Sequence, residues 1–207
     1  TYNLTVVVYD NVNNTVSASI IVHLDKTPPS LNVISPEEEL YVRGVFNISL
    51  IAEDSLSGIA KISITIDNTM TFNITEEPYQ YSVNSTSLAD GEHNITIAAY
   101  DKAGNNKTAS ITFYVDNTPP TVSIVSPIDG SWVGTYVYVN ISASDELSGV
   151  QFIELLINGS SQGYWYPSDY DIYWDASDYV EDTYNLTVVV YDNVNNTVSA
   201  SIIVHLD

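Results

Sequence analysis

Apolar and polar residues alternate along this chain in short runs of period two, and nowhere does the spacing lengthen to a sustained helical period. In residues 118–207 the runs fall at 122–125, 136–143, 152–157, 164–166, 171–174, 184–191 and 198–206. A period of two sends successive side chains to opposite faces, so each run reads as a strand with one buried face. Asp129-Gly130, residues 145–149, Asn158-Gly159, Pro167-Ser168-Asp169 and residues 193–196 separate the runs, and these residue types accept positive φ or close Asx turns. Seven short strands punctuated in this way predict a two-sheet β-sandwich. Within 184–190, Leu186, Val188 and Val190 point inward and Asn185 and Thr187 outward, which leaves Tyr184 on the core side at the corner before the strand.

The chain also repeats itself. Residues 1–25 recur without change at 183–207, a spacing of 182 residues, and a weaker echo sits at half that distance. Thr27-Pro28-Pro29 returns as Thr118-Pro119-Pro120, Ser35-Pro36 as Ser126-Pro127, Ser57-Gly58 as Ser148-Gly149 and Tyr100-Asp101 as Tyr191-Asp192, each 91 residues on. A fixed period marks a tandem architecture. The expected organisation is the closing hairpin of a preceding repeat at 1–25, a first sandwich at 26–117 and a second at 118–207. A hairpin alone is marginal in water. Either the chain is a window on a longer tandem array, or the hairpin is donated to a neighbouring chain. Each repeat has a closing hairpin of its own, so donation requires a swap, and the window is the preferred reading.

Both repeats carry the same landmark strings. TPPTVSIVSPIDGSWV, then ISASDELSGV, an apolar strand ending INGS, and YNLTVVVYDNVNN in the second are matched in the first by TPPSLNVISP, IAEDSLSGIAKISITID and LADGEHNITIAAYDKAGNN. Together they resemble the Ig-like domains found in tandem in bacterial and archaeal surface proteins, over essentially the whole chain. The resemblance implies an all-β fold of tandem seven-stranded Ig-like β-sandwiches. It implies stalks, filaments, surface layers, adhesins or spacers alike, since a fold does not by itself fix a function. His93 occupies in the first repeat the place of Tyr184, where a ring nitrogen can make the hydrogen bond of a tyrosine hydroxyl. A corner role outweighs catalysis there, because no nucleophile accompanies the ring. His23 and His205 are one position seen twice, on the outer face of the last strand.

Composition narrows the partners. Twenty-six acidic residues against five Lys plus Arg give a net charge of −21, which repels phosphate backbones and anionic lipid and excludes nucleic acid as a partner. With 44% hydrophobic and only 15% charged residues the chain can bury a core, so disorder is excluded too. There is no cysteine to staple the fold and no apolar stretch of about 18 residues, so no membrane insertion is expected in this segment.

Three groups of residues are candidates for chemistry. The densest motif is the Asn-X-Ser/Thr sequon, at Asn3, Asn13, Asn47, Asn73, Asn84, Asn94, Asn106, Asn140, Asn158, Asn185 and Asn195. Asn94 and Asn185 are equivalent and outward, and Asn47 and Asn140 keep one face, which argues for glycosylation over chance. The second group is acidic. In an Ig-like topology Glu37, Glu38, Glu39, Asp90 and Glu92 gather at the far end of the first repeat, and Asp145, Glu146 and Asp192 at the near end of the second. Asp116 lies in the connection, and Asp54 and Asp101 repeat the arrangement around Asp25. Asp116, Asp145, Glu146, Asp192, Asp54 and Asp101 are therefore candidate ligands of Ca²⁺, a hard ion that takes oxygen donors. A solvated acidic surface is the competing reading, since no full calcium-loop motif is present and Asp101 and Asp192 also start turns. Lys26 and Lys102 could replace a cation at the earlier joint, and all five basic residues fall at 26–107.

The third group is aromatic: Trp132, Trp165 and Trp174 with Tyr164, Tyr166, Tyr170, Tyr173 and Tyr179. Rings beside Asp and Asn can stack on sugars, and Trp165 and Trp174 are the candidate ligand contacts. Alternation puts some of these rings in the core, which favours packing or an inter-domain contact over sugar binding. No motif for nucleophilic, metal-dependent or phosphoryl chemistry is present, and the expectation is a non-enzyme. The function expected is an extracellular structural protein, archaeal in style and N-glycosylated, that binds adjacent repeats and self-assembles. The alternative is a carbohydrate-binding or adhesive accessory module.

Overall fold

The computed structural model describes residues 1–167 and 171–207; the turn expected at Ser168-Asp169 and the ring of Tyr170 lie outside the described residues. A hairpin of β1 (Tyr2–Tyr9) and β2 (Thr15–Val22) precedes the first repeat. That repeat contributes β3 (Ser30–Ser35), β4 (Leu40–Val42), β5 (Val45–Glu53), β6 (Ile59–Ile66), β7 (Met70–Ile74), β8 (Gln80–Asn84), a 3₁₀ turn at Ser85–Ser87, β9 (Gly91–Asp101) and β10 (Asn106–Val115). The second contributes β11 (Thr121–Ser126), β12 (Ser131–Val133), β13 (Tyr136–Tyr138), β14 (Asn140–Ser144), β15 (Val150–Ile157), β16 (Ser160–Trp165), β17 (Tyr173–Asp175), β18 (Thr183–Asp192) and β19 (Thr197–Leu206). The sheets order as β3-β5-β8 and β4-β10-β9-β6-β7, then β12-β19-β18-β15-β16 with the pairs β11-β14 and β13-β17. Contacts gather the chain into two compact units, Thr1–Glu37 with Asn47–Ser82 and Asn94–Ile111, and Glu38–Phe46 with Val83–His93 and Thr112–Asp207.

In the second unit the alternation read from the sequence is the core. Across β15 and β18, Ile153 faces Val190, Leu155 faces Val188 and Ile157 faces Leu186, and all six are closed to solvent. Burying side chains of this size stabilises by about 1.5–3 kcal/mol each. Val204 and Leu206 of β19, Val137 of β13, Trp174 of β17, and Val139 and Ile172 beside those strands belong to the same cluster. Tyr184 donates its hydroxyl to the Val180 carbonyl at 2.8 Å. His93 makes the equivalent contact, Nε2 to the Ala89 carbonyl at 2.7 Å, with its ring tilted against Phe113.

Two strand features differ from the sequence pattern. Ser131–Val133 is a further strand, pairing parallel with β19 as Ser131 to Val204 and Val133 to Leu206. Three residues are too few to display alternation. The run at 136–143 divides at Val139, whose N–H donates to the Ile172 carbonyl at 2.8 Å. That bond keeps the first half beside β17, while the second half pairs with β11.

The first unit has its own isoleucine core. Ile62, Ile64 and Ile66 of β6 stand opposite Ala99, Ile97 and Ile95 of β9, and Ile48, Leu50 and Ala52 of β5 are buried with them. The β1–β2 hairpin belongs to this unit and pairs from Tyr2↔Val22 to Tyr9↔Thr15, the register in which Tyr184↔Val204 to Tyr191↔Thr197 join β18 and β19.

Candidate functional site

Each unit holds three aspartates brought together by turns of the same design. Asp54 opens one such turn: the N–H groups of Leu56, Ser57 and Gly58 converge on its Oδ1 at 3.2, 2.7 and 2.7 Å. Asp145 opens the equivalent turn, with Leu147 and Gly149 donating to Oδ1 at 3.2 and 2.6 Å. Both turns close on a glycine of positive φ, 76° at Gly58 and 83° at Gly149, a conformation that a Cβ would strain. Asp101 accepts from the N–H groups of Ala103 and Asn105 at 2.9 and 2.8 Å, and Asp192 from those of Val194 and Asn196 at 2.9 and 2.7 Å. The third member comes from the connecting segment. Asp25 Oδ1 accepts from Thr27 N–H at 2.9 Å, and Asp116 accepts from Thr118 and Ser148 N–H, both at 3.1 Å.

The outcome is two carboxylate triads, Asp25 with Asp54 and Asp101, and Asp116 with Asp145 and Asp192, in each of which an oxygen of every member lies within 4.8 Å of the others. Asp101, Asp116 and Asp192 are buried. At that separation like charges repel one another. Hydrogen bonds offset part of this at Asp54: the Gly58 N–H, acting against burial and helped by Ser57 and Leu56, holds its carboxyl below the usual carboxylate range. Among the described residues no donor reaches the buried Oδ2 of Asp25 or the buried Oγ of Ser148 beside Asp116. An all-oxygen set with two buried oxygens left over fits a hard divalent cation, and the residues that would hold it are these six aspartates.

Of the candidate ligands, the structure brings Asp54 with Asp101 and Asp116 with Asp145 and Asp192. Glu146 is exposed and stands outside the triad, because the turn aims Asp145 inward and its neighbour outward. Asp25, read from the sequence only as part of the connection, is the third member of its triad; its place 91 residues before Asp116 was the available signal. Asn105 and Asn196 were not singled out, yet they lock the geometry. Asn196 Nδ2 bonds Asp192 Oδ2 at 2.7 Å and the Asp116 carbonyl at 3.0 Å, and Asn105 Nδ2 bonds Asp101 Oδ2 at 2.7 Å. Lys102 brings its Nζ to 3.5 Å from the position of a Cβ on Gly58, where Asn193 Nδ2 stands at the same distance over Gly149. The remaining acids serve elsewhere. Asp90 takes the Asn117 N–H at 2.8 Å and the Thr118 hydroxyl, and Glu38 takes the Thr112 N–H at 3.0 Å. Burial disfavours the Asp90 anion, but these donors from Thr118 and Asn117 prevail and hold it below the usual range.

All eleven sequon asparagines are exposed. The aromatic candidates divide. Trp174 is fully buried, edge-on to Tyr179 at 4.9 Å and Tyr184 at 5.2 Å, so it cannot stack on a sugar; alternation along Tyr173-Trp174 turns it to the core. Trp165 packs partly buried against the same core and across Gly163. Among the described residues the candidate rings that face solvent are Tyr173; Trp132, tilted against His205 at 5.0 Å; and Tyr164 and Tyr166, which stand edge-on to Phe152 at 5.5 and 6.3 Å. Phe152 stacks in turn on Tyr191 at 4.4 Å, whose phenol burial and the Glu154 carboxylate push above its ordinary pKa.

No helix among the described residues is long and apolar enough to cross a membrane. A search among curated proteins gives no match. Among solved structures, the fibronectin(III)-like modules of Clostridium thermocellum CbhA share the fold: 20% identity, TM-score 0.55, covering 86% of this chain and 94% of theirs. A bacterial ice-binding adhesin matches at 14% identity and TM-score 0.49, covering 88% of this chain and 66% of its own. A model of the bacterial Ig domain matches residues 29–97 and again 120–188, and no catalytic family is identified. With its β-sandwich sheets and two matched copies in tandem, the chain belongs to the bacterial Ig domain family.

Proposed function

We propose that this chain is a stretch of an extracellular structural protein whose tandem Ig-like repeats build a stalk, filament or surface layer. The observation that carries the reading is the unchanged return of residues 1–25 at 183–207, since a polymer with equivalent contacts requires equivalent repeats. The Thr-Pro-Pro connections support stiffness, because each proline fixes φ and holds the residue before it extended. Asn-linked glycans on the exposed sequons would coat the sheet faces and discourage edge pairing. Ca²⁺ at the two triads would neutralise the carboxylates and fix each connection to the turns beside it.

Electron microscopy of native material tests the reading: ordered threads or lattices with a two-repeat spacing support it, and dispersed single modules overturn it. Intact-mass measurement on the same material reads the glycans, and a bare polypeptide mass removes that part of the proposal. A second reading, a sugar-binding accessory module, is favoured by the exposed Tyr164 and Tyr166 beside Phe152. A polysaccharide pull-down abolished by Tyr164→Ala with Tyr166→Ala would choose it over the first.

A further inference from the structure

The first repeat carries a groove that neither the triads nor the exposed rings account for. Where β5 ends and β8 begins, two adjoining cavities of about 290 and 370 Å³ share Ala52, Glu53, Glu77 and Tyr79 as walls. Pro78 lines one and Ile59 the other, so the lining is partly apolar, while the exposed Glu53 and Glu77 supply charge. The Tyr79 carbonyl accepts the Leu50 N–H at 3.1 Å, which pins this residue against β5, and only 9% of its surface is open. No hydrogen bond among the described residues engages its hydroxyl, yet that oxygen is not sealed from solvent. A side chain this enclosed ordinarily has its polar atom paired within the protein. Here the pairing is left to whatever enters the groove. Burial and the Glu77 charge push the phenol above its ordinary pKa, so it presents an O–H and not a third anion. The internal repeat shows that the fold does not demand these acids. Ala52 and Tyr79 return 91 residues on as Ala143 and Tyr170, but Glu53 and Glu77 are replaced by Ser144 and Ser168.

Two carboxylates and a phenol around an apolar floor call for a cation, and a bare metal ion is the poorer occupant. Ca²⁺ takes about six to eight oxygens. Among the described residues no third carboxylate or imidazole joins Glu53 and Glu77 within 4.8 Å, and Asp54 beside them belongs to its triad. A cation with several N–H donors and an apolar stem uses both parts of the groove. We infer that the groove binds an alkylammonium group, its N–H donors shared among Glu53, Glu77 and the Tyr79 hydroxyl oxygen, its methylenes against Ala52, Ile59 and Pro78. A free polyamine supplies that chemistry, and so does a lysine of a second copy, since Lys26, Lys61, Lys102 and Lys107 are all exposed. The inference does not depend on the tandem-array reading.

Titration calorimetry of the full chain with spermidine tests it, in chelator and at an ionic strength of about 0.15 M, where loosely held surface cations are screened. One saturable site is expected. Glu53→Ser with Glu77→Ser, which writes the second repeat's own residues into the first, should weaken it at least about tenfold. Tyr79→Phe removes one hydroxyl and should weaken it by about three- to tenfold. Glu37→Ser with Glu146→Ser deletes the same charge outside the groove and should leave the affinity unchanged. Equal weakening in the two double variants, or heat that never saturates, overturns the site, because the amine then follows net charge alone. Sedimentation without spermidine names the source. Self-association abolished by Glu53→Ser with Glu77→Ser makes it a lysine of a second copy, and a monomer that binds spermidine makes it a free amine.

Discussion

Tyr184 and His93 show how far a single side chain was legible. Parity along β18 placed Tyr184 inward at its corner, and the repeat placed His93 at the same point; in the structure each ring bonds a carbonyl four residues back. Replacing Tyr184 by Phe keeps the ring among Trp174 and Tyr179 and leaves only the Val180 carbonyl without its donor. The expected loss is about 1 kcal/mol, seen as a lower urea midpoint with unchanged slope. Asp90 was read only as one more acid at a domain end. Its bonds to Asn117 and Thr118 could not be foreseen, because they depend on how the loop before β9 meets the segment after β10. Its folded pKa lies below the ordinary aspartate value, so its contribution is present above that ordinary value and fades as pH falls through the folded one. The stability difference between wild type and Asp90→Asn is therefore expected at neutral pH and should vanish in an acid titration followed by denaturant unfolding.

Among the elements, the long strands were legible, the short β17 was foreseen by the run at 171–174, and β12 and the break after β13 were not. β15, β18 and β19 bury one face along eight to ten residues, enough for the period to show. β12 and β13 have three residues each, and what makes them strands is pairing with β19 and β17, a tertiary fact. The aromatics follow the same division. Alternation sends Trp174 inward between two outward neighbours, Tyr173 and Asp175, while Tyr164 and Tyr166 flank the inward-leaning Trp165. Trp174→Ala should cost about 3–5 kcal/mol, by loss of burial and by the cavity left beside Tyr179 and Tyr184. Tyr164→Ala should leave the denaturation midpoint close to wild type, since its ring stands largely in water. Equal costs for the two substitutions would contradict this division of core from surface.

For the whole molecule, the repeat length was the strongest guide and the net charge the most ambiguous. A spacing of 91 residues predicts that whatever Asp116, Asp145 and Asp192 do, Asp25, Asp54 and Asp101 do as well, and the two triads agree. The −21 charge alone does not separate a calcium protein from an acidic surface, because charge counts carry no distances. The triads supply the distances, and with them a test in which one reading predicts a reversal of sign on adding Ca²⁺ and the other predicts none. Ca²⁺ binding only the folded state adds about 2.7 kcal/mol of stability at a hundred times its Kd, and a chelator removes it. Asp145→Asn keeps an Oδ1 for the Leu147 and Gly149 N–H groups while deleting one of three mutually repelling charges. In chelator the variant should therefore melt above the wild type, and in Ca²⁺ below it. Glu146→Gln, one residue away and outside the triad, should change neither value. If the acids form only a solvated surface, Mg²⁺ and Ca²⁺ should act alike through screening, and Asp145→Asn should behave as Glu146→Gln does.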